Sequence, residues 1–472
     1  MNTAAKLENV TFRYSNGDSG ALNRVDLEIK SGECLLLCGS SGCGKTTVTR
    51  LLNGLIPHYY EGELQGEVIS AGRNIRDVSI EDLAGTVGSV FQNPRSQFFC
   101  VDTDAEIAFG CENMGLPEDE VRRRSAETVA SMHIEKLLGR SIFNLSGGEK
   151  QKIACAGVSA MLPRMIVLDE PTSNLDLDAI DELRTIISGW KAQGRTIVIA
   201  EHRLGWLEGI CDRVIFMENG SISKEFTGSS FFSLGTAALN SMGLRAAVTD
   251  SSCLDSPCGV TPIKPFSKSG VISLENFTFS YGRQKALDIP ALDIPKGSVT
   301  AVTGHNGAGK STFTGCLCGL KKGFKGRVTI DGKTLRPKDM MRLSYMVMQD
   351  VNHQLFAETV LEEVMLGAED SEEQKALDTL EKLDILQFRD RHPMSLSGGQ
   401  KQRVAVASAI LAGKKLLIFD EPTSGLDFRS MECTADLLGS LDDDITVLIV
   451  THDTELIGRC CTHLLHIENG RL

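Results

Sequence analysis

Gly39-Ser40-Ser41-Gly42-Cys43-Gly44-Lys45-Thr46 and Gly304-His305-Asn306-Gly307-Ala308-Gly309-Lys310-Ser311 are two versions of one phrase. Each fits the P-loop pattern. In such a loop, glycines let the backbone wrap tightly enough to aim several N–H groups at the β- and γ-phosphates of a nucleotide, helped by the positive end of the following helix. Lys45 and Lys310 then neutralise phosphate charge, and Thr46 and Ser311 supply the hydroxyl expected on Mg2+, with Thr47 and Thr312 beside them. Within the loops, the nucleotide-binding positions are Gly39, Ser40, Gly42 and Gly44 in the first and Gly304, Asn306, Gly307 and Gly309 in the second. In both halves Leu-Ser-Gly-Gly, an apolar run ending in Asp-Glu, and a His follow in the same order, which chance matching hardly produces.

The duplication extends beyond the loops. Leu7-Glu8-Asn9-Val10-Thr11-Phe12-Arg13-Tyr14 reappears as Leu274-Glu275-Asn276-Phe277-Thr278-Phe279-Ser280-Tyr281, and Glu218-Asn219-Gly220 as Glu468-Asn469-Gly470. The P-loops lie 265 positions apart and the closing motifs 250, so the first half carries about fifteen extra residues, part of them around Ile56 to Gln65. The copies have diverged. Runs such as Cys34 to Cys38, Thr196 to Ala200, Val299 to Val302 and Thr446 to Val450 predict buried strands, and Glu118 to Leu138 and Ala179 to Gln193 predict amphipathic helices. Strands alternating with helices predict α/β sheets in which each P-loop joins a strand to a helix. The expected domains are 1–222 and 271–472, with 223–270, rich in Ser, Thr, Gly, Ala and Pro, as connector; Phe231, Phe232 and Leu234 are candidates to dock on the first domain.

Met165 to Glu170 and Leu416 to Glu421 are apolar runs that each end in two carboxylates. Asp169 and Asp420 suit a Mg2+ shell, and Glu170 and Glu421 suit polarising the attacking water, so two hydrolytic sites are expected. Leu145-Ser146-Gly147-Gly148-Glu149 and Leu396-Ser397-Gly398-Gly399-Gln400 are further glycine turns opening helices and are suited to phosphate oxygens.

Composition narrows the class. A chain of 472 residues with net charge -13 lacks the basic field of a protein whose main partner is nucleic acid. No run approaches the roughly 18 to 20 apolar residues of a membrane-spanning helix, and Met1 to Leu7 lacks a secretory pattern, so a cytosolic chain is expected. The 14 cysteines show no Cys-x-x-Cys pair and read as free thiols in a reducing compartment; Cys43 lies inside the first P-loop, where alkylation is a way to block nucleotide.

Together these motifs resemble the ATP-binding-cassette ATPases, whose signature turn is Leu-Ser-Gly-Gly-Gln; Glu149 departs from its Gln. The resemblance implies two P-loop ATPase domains, each an α/β core with a small antiparallel β subdomain and a helical subdomain, using ATP and Mg2+. It also implies an intramolecular pseudo-dimer with two composite sites. One would join Lys45, Thr46, Gln92, Asp169, Glu170 and His202 to Ser397, Gly398 and Gly399; the other would join Lys310, Ser311, Gln349, Asp420, Glu421 and His452 to Ser146, Gly147 and Gly148. Gln92 and Gln349 would reach the metal, and His202 and His452 would sense the γ-phosphate. Ser173-Asn174-Leu175-Asp176 and Ser424-Gly425-Leu426-Asp427 resemble the loop through which two cassettes communicate across their interface. Tyr14 and Tyr281 resemble the aromatic that stacks on adenine, with strand packing as the other reading.

Phe91-Gln92-Asn93-Pro94-Arg95-Ser96-Gln97-Phe98-Phe99 and Met348-Gln349-Asp350-Val351-Asn352-His353-Gln354-Leu355-Phe356 resemble the Gln loops of energy-coupling-factor transporter ATPases, although the second lacks Asn-Pro. Asn53 to Gly62 and Glu201-His202-Arg203-Leu204 also resemble that group. The resemblance implies a peripheral protein on the cytoplasmic face of the cell membrane. Its partners would be an integral membrane coupling subunit and a membrane substrate-binding subunit, for uptake of a vitamin, its precursor or a metal ion. Asp102, Asp104, Glu106, Glu358, Glu362 and Glu363 follow the two loops, either to pair with basic side chains of the coupling subunit or as solvated helix starts. The alternative from another class is a tandem ATPase acting on ribosomes or DNA, which the weakly charged connector and the lack of zinc-type Cys pairs disfavour.

Overall fold

Runs of Leu, Val and Ile bounded by turn residues form strands that are buried on both faces, which is the requirement of a parallel sheet covered by helices. The computed structural model describes residues 2–15, 17–173, 175–245, 260–268, 270–368 and 372–472. It divides into two units, Met1–Val248 and Thr249–Leu472.

In the first unit β1 (Thr3–Tyr14), β2 (Gly17–Lys30), β4 (Gly62–Ser70) and β5 (Arg73–Asn74) form an antiparallel sheet in the order β2-β1-β4-β5. The second sheet runs β10-β9-β3-β8-β7-β6, built from β3 (Cys34–Gly39), β6 (Val87–Val90), β7 (Met165–Asp169), β8 (Thr196–Ala200), β9 (Arg213–Glu218) and β10 (Ser221–Thr227). All its neighbours pair in parallel except the edge strand β10. The helices Thr103–Asn113, Glu118–Met132 and Gly147–Ala160 surround a separate apolar cluster that includes Ile107, Val121, Ile134 and Ile153, which is the helical subdomain. The helix expected over Glu118 to Leu138 stops at His133, whose φ of 54° is left-handed; a short 3-10 turn follows at Glu135–Leu137.

The second unit repeats this plan. β12 (Val271–Tyr281), β13 (Gln284–Pro295), β15 (Lys325–Ile330) and β16 (Lys333–Thr334) form its antiparallel sheet. The other sheet runs β11-β20-β14-β19-β18-β17, from β11 (Val260–Pro262), β14 (Val299–Thr303), β17 (Ser344–Val347), β18 (Leu416–Asp420), β19 (Thr446–Val450) and β20 (His463–His466). Both units therefore have the α/β architecture of a P-loop ATPase.

The connector expected over 223–270 is shorter than its composition suggests. The boundary at 222 falls inside β10, and the helices Gly228–Phe232 and Thr236–Ser241 belong to the first unit, where Phe231 and Leu239 are fully buried in the cluster holding Phe216. Gly228 is small of necessity, because a Cβ there would sit 1.9 Å from the Cys211 carbonyl oxygen. On the other side, β11 pairs antiparallel with β20. Each mainly parallel sheet thus has an antiparallel edge strand, β10 near the end of the first unit and β11 near the start of the second. Only 246–259 and 269, within the expected connector, lie outside the described residues, as does Asn174.

Candidate nucleotide-hydrolysis sites

Both P-loops leave the C-terminal end of a central strand, β3 or β14, and enter the helices Lys45–Leu52 and Lys310–Leu317. The glycines are required by geometry. Gly44 and Gly309 both adopt φ 104°, and a Cβ on Gly39 or Gly304 would fall 2.3 Å or 1.9 Å from a carbonyl oxygen of the neighbouring strand's end, Met217 or Ile467. Lys45 Nζ donates to the carbonyls of Gly39 (2.8 Å) and Ser40 (2.9 Å), and Lys310 Nζ donates to those of Gly304 (2.5 Å) and His305 (3.0 Å). Each ammonium is thereby held over its own loop, where phosphate oxygens would meet it. Cys43 is 3% exposed with its sulfur 3.8 Å from Lys45 Nζ, so its thiol is packed within the loop and shielded from reagents.

The hydroxyl and carboxylate expected to share a metal are neighbours in both units. Thr46 Oγ1 donates to Asp169 Oδ1 and Ser311 Oγ to Asp420 Oδ2, each at 3.1 Å. Burial, and then the adjacent Glu170, push the Asp169 carboxyl up to about 7; burial likewise raises Asp420. Buried acids that resist ionising beside a hydroxyl oxygen are a donor set that a hard dication would complete, so the residues present fit Mg2+.

Glu170 and Glu421 follow these acids with φ of 45° and 51°, left-handed values that are strained for a side chain with a Cβ. The strain is held in place because the Glu170 N–H donates to Ala200 O and the Glu421 N–H to Val450 O, each at 2.8 Å. Both carboxylates are thereby aimed from the sheet end toward the His that follows the next strand. His202 Nε2 lies 3.3 Å from Glu170 Oε1, and Gln92 Nε2 donates to Glu170 Oε2 at 2.7 Å. In the second unit His452 Nε2 lies 4.0 Å from Glu421 Oε1 and accepts from Lys310 Nζ at 3.2 Å, while Gln349 is exposed.

Sequence reading missed how the two His turns differ. Glu201, fully buried, accepts from Thr172 Oγ1 (2.7 Å) and from the N–H groups of His202 (2.8 Å) and Arg203 (3.2 Å), and burial raises its pKa. In the second unit Asp453 takes the matching bond from Thr423 Oγ1 (2.6 Å), and Thr451, at the place of Glu201, donates from Oγ1 to Glu421 Oε2 at 3.2 Å. The signal was present in Glu201-His202-Arg203 set against Thr451-His452-Asp453, where the acid has moved from one side of the His to the other.

The signature turns begin the helices Gly147–Ala160 and Gly398–Leu411 as capping boxes. Ser146 Oγ accepts from Glu149 N and Ser397 Oγ from Gln400 N, while Glu149 and Gln400 accept back from the serine N–H groups. Glu149 therefore replaces Gln without loss, its added charge met by Arg140 at 2.6 Å. A Cβ on Gly148 or Gly399 would come within 2.8 Å of Ala179 Cβ or 2.9 Å of Leu426 Cδ2, so these helix starts must be bare. Gly147 and Gly398 sit beside them on the exposed end of each helix. Asp176 and Asp427 cap the next helices, accepting from Ala179 N and Ser430 N.

Tyr14 and Tyr281 are tied by their hydroxyls to Thr47 Oγ1 (3.1 Å) and Thr312 Oγ1 (3.3 Å), which brings each aromatic to the first turn of its P-loop helix. The Gln loops are folded by their second glutamine: Gln97 and Gln354 accept from Phe91 N and Met348 N and donate to Ser89 O and Met346 O. Two of the acidic residues that follow have neither expected role. Glu106 and Glu363 are buried and accept from Phe99 and Cys100 N–H and from Phe356 and Ala357 N–H respectively, bonds that fix the loop exits. Asp102 and Glu362 cap helices, and Asp104 accepts from Gly139 N. Among the described residues no cluster of His, Cys, Asp and Glu could hold a further metal ion, and no helix is long and apolar enough to cross a membrane.

A family model described as ABC transporter matches residues 22–173 and 287–424. A protein of Treponema denticola named "Putative ABC transporter ATP-binding protein" is 46% identical, over 99% of this chain and 96% of its own length. A Bacillus subtilis protein named "Putative HMP/thiamine import ATP-binding protein YkoD" is 30% identical over 99% of this chain and 90% of its own. Among solved structures, one titled "RNase-L Inhibitor" has a TM-score of 0.63 at 21% identity, covering 98% of this chain and 89% of that one, a likeness of fold alone.

Proposed function

The chain belongs to the ABC transporter family, whose ATP-binding proteins hydrolyse ATP, and from that premise we propose that it energises a membrane uptake transporter of the energy-coupling-factor type for a vitamin, a vitamin precursor or a metal ion. The observation that carries this reading is the pair of Gln loops. Each is stapled by a glutamine and a buried glutamate so that a phenylalanine stands out of the surface: Phe99 is 75% and Phe356 79% exposed. Apolar rings held outward on an otherwise ordered loop suit a partner helix. The loop sequences resemble those of energy-coupling-factor ATPases, and the name of the Bacillus subtilis relative refers to HMP/thiamine import. The partners in this reading are an integral membrane coupling subunit and a membrane substrate-binding subunit, with the chain bound peripherally at the cytoplasmic face.

In each cassette Lys45 or Lys310 and the loop N–H groups would bind the β- and γ-phosphates, with Tyr14 or Tyr281 against the base. Thr46 with Asp169, and Ser311 with Asp420, would hold Mg2+, joined by Gln92 or Gln349; the ion supplies charge that steadies the triphosphate. Glu170 and Glu421 would take a proton from the attacking water, and His202 and His452 would donate toward the γ-phosphate. The signature residues Ser397, Gly398 and Gly399 would complete the first cassette's site, and Ser146, Gly147 and Gly148 the second's, in a pseudo-dimer within one chain. The transport reading predicts that the chain, isolated from gently solubilised native membranes, brings integral membrane proteins with it, and that Phe99→Ser with Phe356→Ser releases them. Recovery with ribosomes and no membrane protein would contradict it.

A further inference from the structure

The tyrosines in front of the two P-loops are each accompanied by a cation, and the two cations come from different places in the chain. In the first cassette Arg50, on the P-loop helix, donates from Nη1 to Tyr14 Oη at 3.0 Å, with its guanidinium carbon 5.8 Å from the Tyr14 ring centre and 3.9 Å from that of Tyr60. Counting from Lys45 and Lys310, the matching position in the second cassette is Gly315, which has no side chain to offer. Lys321, from the segment after that helix, fills the gap. Its Nζ lies 5.1 Å from the Tyr281 ring centre, and a Cβ on Gly315 would touch its Cγ, Cδ and Cε at 3.4 Å. Against the raising effect of burial, hydrogen bonds from Lys321 and Thr312 hold the Tyr281 phenol below its usual range. A cation that reaches the equivalent ring from a different position in each cassette, beside the same hydroxyl-to-threonine bond, marks a need for charge there and not for one residue.

We propose that Arg50 and Lys321 are positioning residues that fix Tyr14 and Tyr281 against the first turn of the P-loop helix and draw electron density from their rings, so that each ring stacks on the purine base of the bound nucleotide. The inference rests on the proposed role of the two tyrosines at the base. Lys321 acts through the ring and leaves phosphate binding alone. Cation–π contacts are worth about 0.5–1 kcal/mol at partly exposed sites, which corresponds to a roughly two- to fivefold change in a dissociation constant.

The test uses the full chain with Lys45→Ala to silence the first cassette, and measures Kd for ATP and for inorganic tripolyphosphate, which has no base. Lys321→Ala should weaken ATP about two- to fivefold and leave tripolyphosphate within about twofold. Lys321→Arg should bind ATP as the parent does. Lys321→Ala with Gly315→Arg, which rebuilds the first cassette's arrangement, should regain the lost affinity. Equal weakening of ATP and tripolyphosphate, or none with Lys321→Ala, would overturn the proposal. Tyr281→Leu separates the underlying reading: ATP affinity unchanged by that substitution would overturn the stacking role and the inference together, whereas loss with Tyr281→Leu but not with Lys321→Ala would overturn the inference alone.

Discussion

The two glutamates proposed as bases, Glu170 and Glu421, occupy the same strained backbone position at the end of equivalent strands, yet their neighbours differ. Glu421 accepts a hydroxyl hydrogen bond from Thr451, whereas the place of Thr451 in the first cassette is taken by the buried acid Glu201, which cannot donate when ionised and repels charge on Glu170. Glu170 instead receives Gln92 Nε2 and lies nearer its His. The two halves share the position of this acid and differ in what holds it, so one motif supports two differently poised arrangements.

The largest effect should come from a feature that distinguishes the folds and not the chemistry. Phe231 is fully buried in the first cassette, on a helix following β10. Phe231→Ala should cost about 3–5 kcal/mol, lowering the thermal transition of the first cassette while that of the second stays in place. A shift of both together would show that the helix is not private to one unit.

Next is the exchange of base neighbours. Thr451→Glu removes a hydroxyl bond from Glu421 and sets a second carboxylate near it, so hydrolysis by a chain with Glu170→Gln should fall about tenfold or more at neutral pH. Part of that loss should return as the pH drops and the new acid is protonated. An unchanged rate would separate the Thr451 hydroxyl from the function of Glu421.

The smallest effect concerns stability. Glu201 has a folded pKa above its unfolded value, so its contribution is greatest below the ordinary glutamate range and is lost as pH rises toward the folded pKa. Glu201→Thr should therefore flatten the decline of the first cassette's melting temperature as pH rises above the ordinary glutamate range. A slope that stays the same would assign that decline to other buried acids such as Asp169.

Legibility in the sequence followed chemistry. Residues such as Gly39, Lys45, Thr46 and Asp169, with their partners in the second half, stood out in the sequence because few side chains suit the phosphate and metal roles proposed for them. The boundary of the first cassette was not, because Ser229, Ser230 and Ala237 to Ala238 resemble a linker in composition. Only the packing of Phe231 and Leu239 against the cluster holding Phe216 shows them to be part of the fold. Glu106 and Glu363 looked like surface charge, since acids at a helix start usually are, and nothing local reveals that the loop behind them folds over to donate two N–H groups. The cation beside Tyr281 was hidden for another reason: Lys321 replaces Arg50 in space and not in register.

We infer that each half of the chain holds a hydrolytic site with its own base. The most direct test is steady-state ATP hydrolysis of Glu170→Gln, Glu421→Gln and the double variant, alongside the stoichiometry of ATP bound. We predict that each single variant keeps part of the activity and that the double variant loses about 100-fold or more while still binding two ATP. Hydrolysis by the double variant at the parent rate would contradict the account.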